Sequence, residues 1–282
     1  MIEPKPAAQH TQPAVSFKDT AIAFASKSDA DLRKMYGLFA TMNNNTLVKL
    51  GTSFLKAAFA VRFPFVKSVV KNTVFAHFCG GETIADCEPT IGKLWQYRIG
   101  TILDYSVEGA KNDDGFEATT AEIIRTIDKA AGNPSVPFSV FKVTGLASTA
   151  LLEKVQKEEP ITEAEKRDYE HVRERVERIC RHAYEQNVRI FIDAEETWIQ
   201  DTIDALAYEM MEKFNRERAI VYNTYQLYRW DMLGKLKEAH REAQAKGYLL
   251  GAKLVRGAYM EKEAREAAAN ERPNPIQPNK PS

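Results

Sequence analysis

The chain has 282 residues, and its 44% of apolar side chains is enough for one large domain or two small ones with a real core. Its 39 basic and 39 acidic side chains give a formal net charge of zero, so the charge does not favour nucleic acid as a partner. The three cysteines, Cys79, Cys87 and Cys180, form no CxxC pair. This argues against a disulfide framework or a metal site and favours a reducing, cytosol-like compartment.

The first part of the chain has the pattern of a leader followed by helices. Residues 1–15 are rich in proline and alanine and lack the charged-then-apolar pattern of a signal peptide, so we expect a disordered leader. Residues 16–97 have apolar side chains at helical spacing and no alternating strand pattern, which predicts an N-terminal helical arm. Asp29 or Asp31 is the predicted cap of one helix, and another is predicted to begin near Asn45.

One stretch of this arm is both basic and apolar. Residues 32–81 contain no acidic side chain, while seven basic residues are interspersed with Phe, Leu and Val: Arg33, Lys34, Lys49, Lys56, Arg62, Lys67 and Lys71. One interpretation is an interfacial surface for anionic lipid, which would suit peripheral contact with a membrane. The other, which we favour, is an arm that packs on the following domain and exposes a basic outer face.

From about Arg98 the pattern changes to short apolar runs separated by amphipathic stretches. The runs are rich in Val, Ile, Phe and Tyr, are apolar on both faces, and span residues 99–107, 136–143, 188–193, 219–226 and 248–256. The helical stretches span residues 119–131, 148–186 with a break near Pro160, 199–214, 230–245, and a last one from Met260. This order predicts five βα units with parallel strands that are covered on both sides.

Two α/β architectures are compatible with this order, an open doubly wound sheet and a (β/α)8 barrel. No GxGxxG follows the first strand, although an open sheet usually has such a turn there. Polar residues instead lie at the ends of several strands, namely Asp104, Lys142, Asp193, Gln226 and the pair Lys253/Arg256. Because a barrel builds its active site from several strand ends, we predict that residues 98–282 are the first part of a (β/α)8 barrel, truncated after about five units.

Lys142 lies inside an apolar strand, where an unpaired lysine costs several kcal/mol. It is either an edge lysine whose ammonium reaches solvent, or an anion-binding or Schiff-base lysine at the barrel mouth.

Asp193 directly continues another strand and needs a cationic partner, for which Lys142 and Lys253 are the candidates. Glu195 and Glu196 are interpreted as acids that open the next helix and favour its dipole.

The segment around Lys253 is the strongest local feature. If strand geometry continued, Lys253, Val255 and Tyr259 would share one face, and Gly257 would permit close approach of a ligand. The alternative is a strand-to-helix turn that needs glycine and leaves its charges in solvent. Gln226 could offer a donor and an acceptor to a heterocycle, although most such glutamines are solvated.

Four segments in chain order resemble the successive strand motifs of proline dehydrogenases, and most closely those of the one-domain enzymes. They are FKVTG at 141–145, FIDAEE at 191–196, YQLY at 225–228 and KLVRGAY at 253–259. The resemblance covers about residues 17–282. It implies a flavin-binding (β/α)8 barrel in which FAD oxidises L-proline to 1-pyrroline-5-carboxylate and passes the electrons to a membrane quinone. It also implies a cytoplasmic location, peripheral on the inner membrane, or the matrix side in mitochondria.

The resemblance also implies roles for individual residues. Asp193 and Lys253 match catalytic positions, and Lys142 and Tyr259 match positions that bind the substrate. The matching flavin-contacting positions are Ala194, Gln226, Arg256, Gly257 and Ala258. Lys253 stands where many bacterial members have arginine, which keeps the charge but loses the bidentate fork.

The family's paired arginines, which hold the proline carboxylate, have no counterpart before Ser282. We therefore expect this chain by itself to bind FAD poorly and not to turn over proline. Two other functions stay open at this point. One is a barrel aldolase with Lys142 or Lys253 as its Schiff-base nucleophile. The other is a non-enzymatic scaffold or interaction fragment.

Overall fold

The computed structural model describes residues 18–105 and 112–279 and divides the chain into two compact units, with the boundary between Tyr97 and Arg98. The predicted leader at residues 1–15 lies outside the described residues, as does the end of the first predicted strand at 106–107.

The first unit is helical in its described part. Its helices are α1 (Thr20–Phe24), α2 (Asp29–Met42), α3 (Asn45–Ala60), α4 (Val66–Val70), a π-helical turn (Lys71–Phe75), α5 (Ala76–Phe78) and α6 (Ile84–Trp95). The predicted start near Asn45 is confirmed, with Asn44 as its cap. The predicted cap of α2 is wrong: Ser28 is the cap, and Asp31 completes a capping box by accepting from the Ser28 backbone N–H at 3.2 Å.

The second unit contains five parallel strands in the order of the chain. They are β1 (Ile102–Asp104), β2 (Phe138–Phe141), β3 (Arg189–Ile192), β4 (Val221–Gln226) and β5 (Ala252–Val255). The helices are α7 (Asp113–Ala130), α8 (Thr149–Gln156), α9 (Glu163–Glu185), α10 (Thr197–Phe214), α11 (Met232–Lys246) and α12 (Met260–Ala269). Sequential parallel neighbours joined by helices are the arrangement of a (β/α)8 barrel wall, so the predicted fold class is confirmed.

The two faces of this sheet differ in what covers them. On the outer face, helices bury Ile190, Ile192 and Tyr225, and α10 packs on β4. On the inner face the Phe138 ring stacks on Phe191 at 4.4 Å, and both remain partly exposed.

The prediction that every strand is covered on both sides is wrong for the two edge strands. Ile102 of β1 is 44% exposed and Leu254 of β5 is 55% exposed. Among the described residues each of these strands has a hydrogen-bonded neighbour on one side only, so fewer side chains surround it.

Candidate functional site

The C-terminal ends of β2 to β5 bring several predicted site residues to one edge of the sheet. Phe141 pairs with Ile192, and the Asp193 N–H then donates to the Phe141 carbonyl at 2.9 Å, so Lys142 and Asp193 follow their strands in register. Thr224 pairs with Lys253 in the same way. Because neighbours in register point to the same face of a parallel sheet, the side chains of this row share the inner face.

Asp193 and Lys253 form an ion pair at this edge. The Lys253 ammonium donates to Asp193 Oδ1, and the Thr224 hydroxyl lies 3.4 Å from the same oxygen. The ammonium also lies 5.0 Å from the centre of the Phe191 ring, where a cation is favourable. Of the two predicted cationic partners of Asp193, Lys253 is the one that contacts it.

Lys142 has a different partner from the one proposed for it. Its Nζ lies 3.8 Å from Asp104 Oδ2 at the end of β1, and both side chains are partly exposed. Lys142 therefore faces β1, on the side of β2 away from Asp193. The sequence could not show this, because it does not reveal on which side of β2 each neighbouring strand lies.

Gln226 is buried, with 1% of its surface exposed, so the interpretation of it as a solvated glutamine is wrong. Its Nε2 donates to the Glu195 carbonyl at 2.9 Å. Its Oε1 is buried and has no hydrogen-bond partner among the described residues. An unsatisfied buried acceptor costs about 1–3 kcal/mol, so a hydrogen-bond donor that reached this atom would recover that cost.

The loop after β5 is shaped by Gly257. Its φ of 108° turns the chain away from strand geometry, and Tyr259 is the N-cap residue of α12. The expectation that Tyr259 continues the strand face of Lys253 and Val255 is therefore wrong. Arg256 and Ala258 are exposed on this loop.

The structure also contains polar contacts that the sequence did not predict. Glu195 is buried, and its carboxylate accepts from the Thr144 N–H at 3.0 Å and from the Thr144 hydroxyl. Burial raises the pKa of Glu195, and the Thr144 hydrogen bonds oppose this shift. The sequence places Thr144 after the second predicted strand, but only the pairing of β2 with β3 brings it beside this acid.

Of the two acids predicted to open the next helix, Glu196 lies at its start, whereas the Glu195 carboxylate bonds to Thr144. Glu196 is the N-cap residue of α10 but makes no side-chain cap bond, and it pairs with Lys262 instead. The α10 terminus is capped from α12, where the Glu263 carboxylate accepts from the Thr197 N–H at 2.7 Å and from its hydroxyl at 2.6 Å. Helix α12 is thereby tied to the end of β3.

Comparison with known proteins identifies related sequences. A family model described as "Proline dehydrogenase" matches residues 87–282. The chain is 32% identical over 230 residues to the carbapenem antibiotics biosynthesis protein CarD of Pectobacterium carotovorum subsp. carotovorum, covering 82% of this chain and 60% of that protein. It is 30% identical over 306 residues to proline dehydrogenase 1, mitochondrial, of Dictyostelium discoideum, covering 92% and 52%. The chain thus spans about half to three-fifths of these relatives.

A solved structure has the same fold. Proline utilization A from Bdellovibrio bacteriovorus, inactivated by N-propargylglycine, matches with a TM-score of 0.66 and 18% identity over 95% of this chain and 29% of that one. At this identity the likeness concerns the fold, and it agrees with the barrel-type arrangement of the second unit.

Proposed function

Because the chain belongs to the proline dehydrogenase family, we propose that it carries strand ends that bind flavin and proline in an FAD-dependent enzyme oxidising L-proline to 1-pyrroline-5-carboxylate. The family is flavin-dependent, and proline is the substrate of proline dehydrogenases. One observation supports the proposal most. The C-terminal ends of the strands bring together the Asp193–Lys253 ion pair and an amide oxygen of Gln226 that has no partner among the described residues.

The residues at this edge fit a flavin by their chemistry. Gln226 Oε1 is a buried acceptor without a partner among the described residues, and an oxidised flavin ring has both an N–H donor and acceptor atoms. Lys253 and the exposed Arg256 supply positive charge. Ala194, Gly257 and Ala258 have small side chains or none, which suits the close approach of a flat ring. A bound flavin would supply hydride acceptance, which no amino-acid side chain offers.

The remaining roles follow from charge and position. Asp193 holds the Lys253 ammonium, whose charge can stabilise the negative charge that hydride transfer adds to a bound ring. Lys142 is 3.8 Å from its carboxylate neighbour, beyond hydrogen-bond length, so its ammonium keeps donors for the carboxylate of proline. Tyr259 is proposed to line the proline pocket.

The same ion pair disfavours the aldolase alternative. A Schiff-base lysine must be free to attack a carbonyl carbon, whereas the Lys253 ammonium is held in contact with the Asp193 carboxylate. Trapping by borohydride in the presence of a carbonyl substrate would reverse this choice.

The proposed electron acceptor is a membrane quinone, and residues 32–81 are the proposed surface for peripheral membrane contact. Within the two described ranges, no helix is both long and apolar enough to cross a bilayer. Residues 32–81 include no acidic side chain, although Lys71 pairs with Glu82 just beyond them, and Phe65 within this stretch is 81% exposed. The proposed location is the cytoplasmic face of the inner membrane, or the matrix side in mitochondria, as the name of the Dictyostelium relative suggests.

Flavin binding at the strand ends can be tested by NMR on the 282-residue chain labelled at its alanine and valine methyl groups. We expect titration with FAD to shift the signals of Ala194, Val255 and Ala258. Val136 and Val188, near the opposite ends of the strands, are matched controls and should not shift. Shifts confined to the control methyls, or none up to the solubility limit of FAD, would contradict the proposal.

The same sample tests the expectation that this chain is inactive by itself. L-proline and D-proline are added to separate samples of the chain with FAD in the absence of oxygen, and the visible flavin absorbance is followed. We expect no bleaching by either. Bleaching by L-proline alone would overturn the expected inactivity and would demonstrate the proposed reaction directly.

A further inference from the structure

We propose that Gln200 and Asp204 of α10 are positioning residues that hold Gln226 with its amide oxygen free to accept a hydrogen bond from a ligand. The inference rests on the proposed function for the identity of that ligand, a flavin. It adds to that function a second layer of residues, on the helix side of the sheet, which none of the four strand motifs contains.

A continuous series of hydrogen bonds connects these residues. Asn223 Nδ2 and Gln200 Nε2 each donate to Asp204 Oδ1 at 2.8 Å. Gln200 Oε1 accepts from the Glu195 backbone N–H at 2.7 Å. The Glu195 carbonyl then accepts from Gln226 Nε2 at 2.9 Å. Gln200, Asn223 and Gln226 are all at most 1% exposed, so water does not compete for these bonds.

The backbone of Glu195 fixes the orientation of both glutamine amides. A backbone N–H can only donate, so Gln200 must present its oxygen to Glu195 and its NH2 group to Asp204. A backbone carbonyl can only accept, so Gln226 must present its NH2 group to Glu195. The Gln226 oxygen is therefore the end left without a partner among the described residues.

The series connects the two faces of the sheet. Asn223 and Thr224 are consecutive in β4 and point to opposite faces, so Asn223 lies on the helix side while Thr224 and Gln226 share the inner face. Glu195, in the loop after β3, is the link between the faces. Its carboxylate is also held by Thr144, so its N–H, carbonyl and side chain are all fixed.

Asp204 is the acceptor on which this arrangement depends. Without it the NH2 group of buried Gln200 loses its partner, and the amide gains by turning toward another acceptor. Turning would place NH2 against the Glu195 N–H and loosen the loop. Asp204→Leu should therefore free the Gln226 amide from its fixed orientation. Asp204→Asn keeps one oxygen that can accept the bonds from Gln200 and Asn223, so it should preserve that orientation.

The test follows the side-chain amide of Gln226 by NMR in the 282-residue chain without ligand, with the signal assigned through Gln226→Leu. In Asp204→Leu we expect the signal to move to the position of a free glutamine and to lose protection from solvent exchange. Asp204→Asn should keep the wild-type signal. Met210→Ala, a core change on the same helix, should lower stability without moving it, which separates positioning from general destabilisation.

FAD titration of the same variants provides the second measurement. Asp204→Leu should weaken binding about fivefold, the loss expected for one hydrogen bond, while Asp204→Asn and Met210→Ala stay near wild type. An unchanged Gln226 signal in Asp204→Leu would overturn the positioning role. No detectable binding by the wild-type chain up to the solubility limit of FAD would instead contradict the proposed function, and the ligand-free signal would still decide the positioning role.

Discussion

Gly257 sets the direction of the loop that follows β5. Its φ of 108° lies in the region that favours glycine, and a Cβ atom there would lie 1.9 Å from Cδ1 of the Tyr228 ring. Tyr228 is itself buried, and its backbone N–H donates to the Arg256 carbonyl at 3.2 Å, so the ring has little room to move aside. Both the backbone conformation and the neighbouring ring therefore exclude a side chain at this position.

Gly257→Ala should lower the free energy of unfolding by about 1–3 kcal/mol, because strain of this kind persists only where surrounding contacts enforce it. Urea unfolding of the chain measures the change. Gly234→Ala is the matched control, since Gly234 lies in α11 with no atom within 4 Å of its added Cβ. That change should be neutral or stabilise by up to about 1 kcal/mol. Equal midpoints for wild type and Gly257→Ala would refute the steric argument.

Individual site residues differ in how far their sequence predicts them. Asp193 and Lys253 stand out because charges that directly adjoin apolar runs need partners, and the structure pairs them. The Lys142–Asp104 contact joins residues of neighbouring strands and required the sheet order. Gln200 and Asp204 look like ordinary polar residues of an amphipathic helix, and only the packing of α10 against β4 places them in a buried network.

The N-terminus of α9 illustrates what fixes a single element. Thr162 and Glu165 form a capping box, in which Glu165 accepts from the Thr162 N–H at 2.8 Å. Lys154 of α8 donates to the same carboxylate at 2.5 Å, so the cap also joins two helices. The hydrogen bond from Lys154, followed by those from Thr162, lowers the pKa of Glu165 from 4.5 to about 2.

This lowered pKa gives Glu165 a defined effect on the pH dependence of stability. Because the folded-state pKa lies below the unfolded value, the contribution is present above pH 4.5 and is lost as the pH falls toward about 2. Glu165→Gln cannot ionise, so its stability deficit relative to wild type should shrink across that window. Lys154→Met keeps the capping box and should retain part of the dependence. Urea unfolding of wild type and variants at several pH values measures the difference in free energy of unfolding. A difference between Glu165→Gln and wild type that stays constant across this pH range would contradict this account.

The alternation of apolar runs and amphipathic stretches predicted the number and order of the strands, but their bounds came out too long. The fifth run, predicted over 248–256, forms a strand only at Ala252–Val255. Asn215 explains part of the difference, since its side-chain NH2 donates to the Leu249 carbonyl at 2.9 Å and to the Val221 carbonyl at 2.8 Å. The Asn215 side chain, at the end of α10, thus bonds to carbonyls that a longer pairing of β4 with β5 would use. The local sequence pattern does not reveal this contact.

At the scale of the whole molecule, the two units differ in how completely they bury their apolar side chains. Among the described residues of the first unit, the buried apolar ones are Ala58 and Ile91. Phe54, Phe63 and Phe65 are all at least 60% exposed, although large apolar side chains are ordinarily inside. Apolar side chains exposed together with cations in one stretch are the composition that binds an anionic lipid surface.

Vesicle co-sedimentation of the 282-residue chain tests this surface. We expect binding to vesicles that contain anionic lipid, weaker binding to neutral ones, and a decrease with salt, because lipid charge attracts the cations and salt screens them.

A triple change to glutamine at exposed cations of residues 32–81 should weaken binding about fivefold per charge removed; it comprises Lys49, Lys56 and Lys67. The control removes the same charge from exposed positions of the second unit: Lys237, Arg241 and Arg265. Equal binding to both vesicle types, or equal losses in the two triple variants, would contradict an anionic-lipid surface. Either result would favour the alternative, a helical arm whose basic outer face is exposed only to solvent.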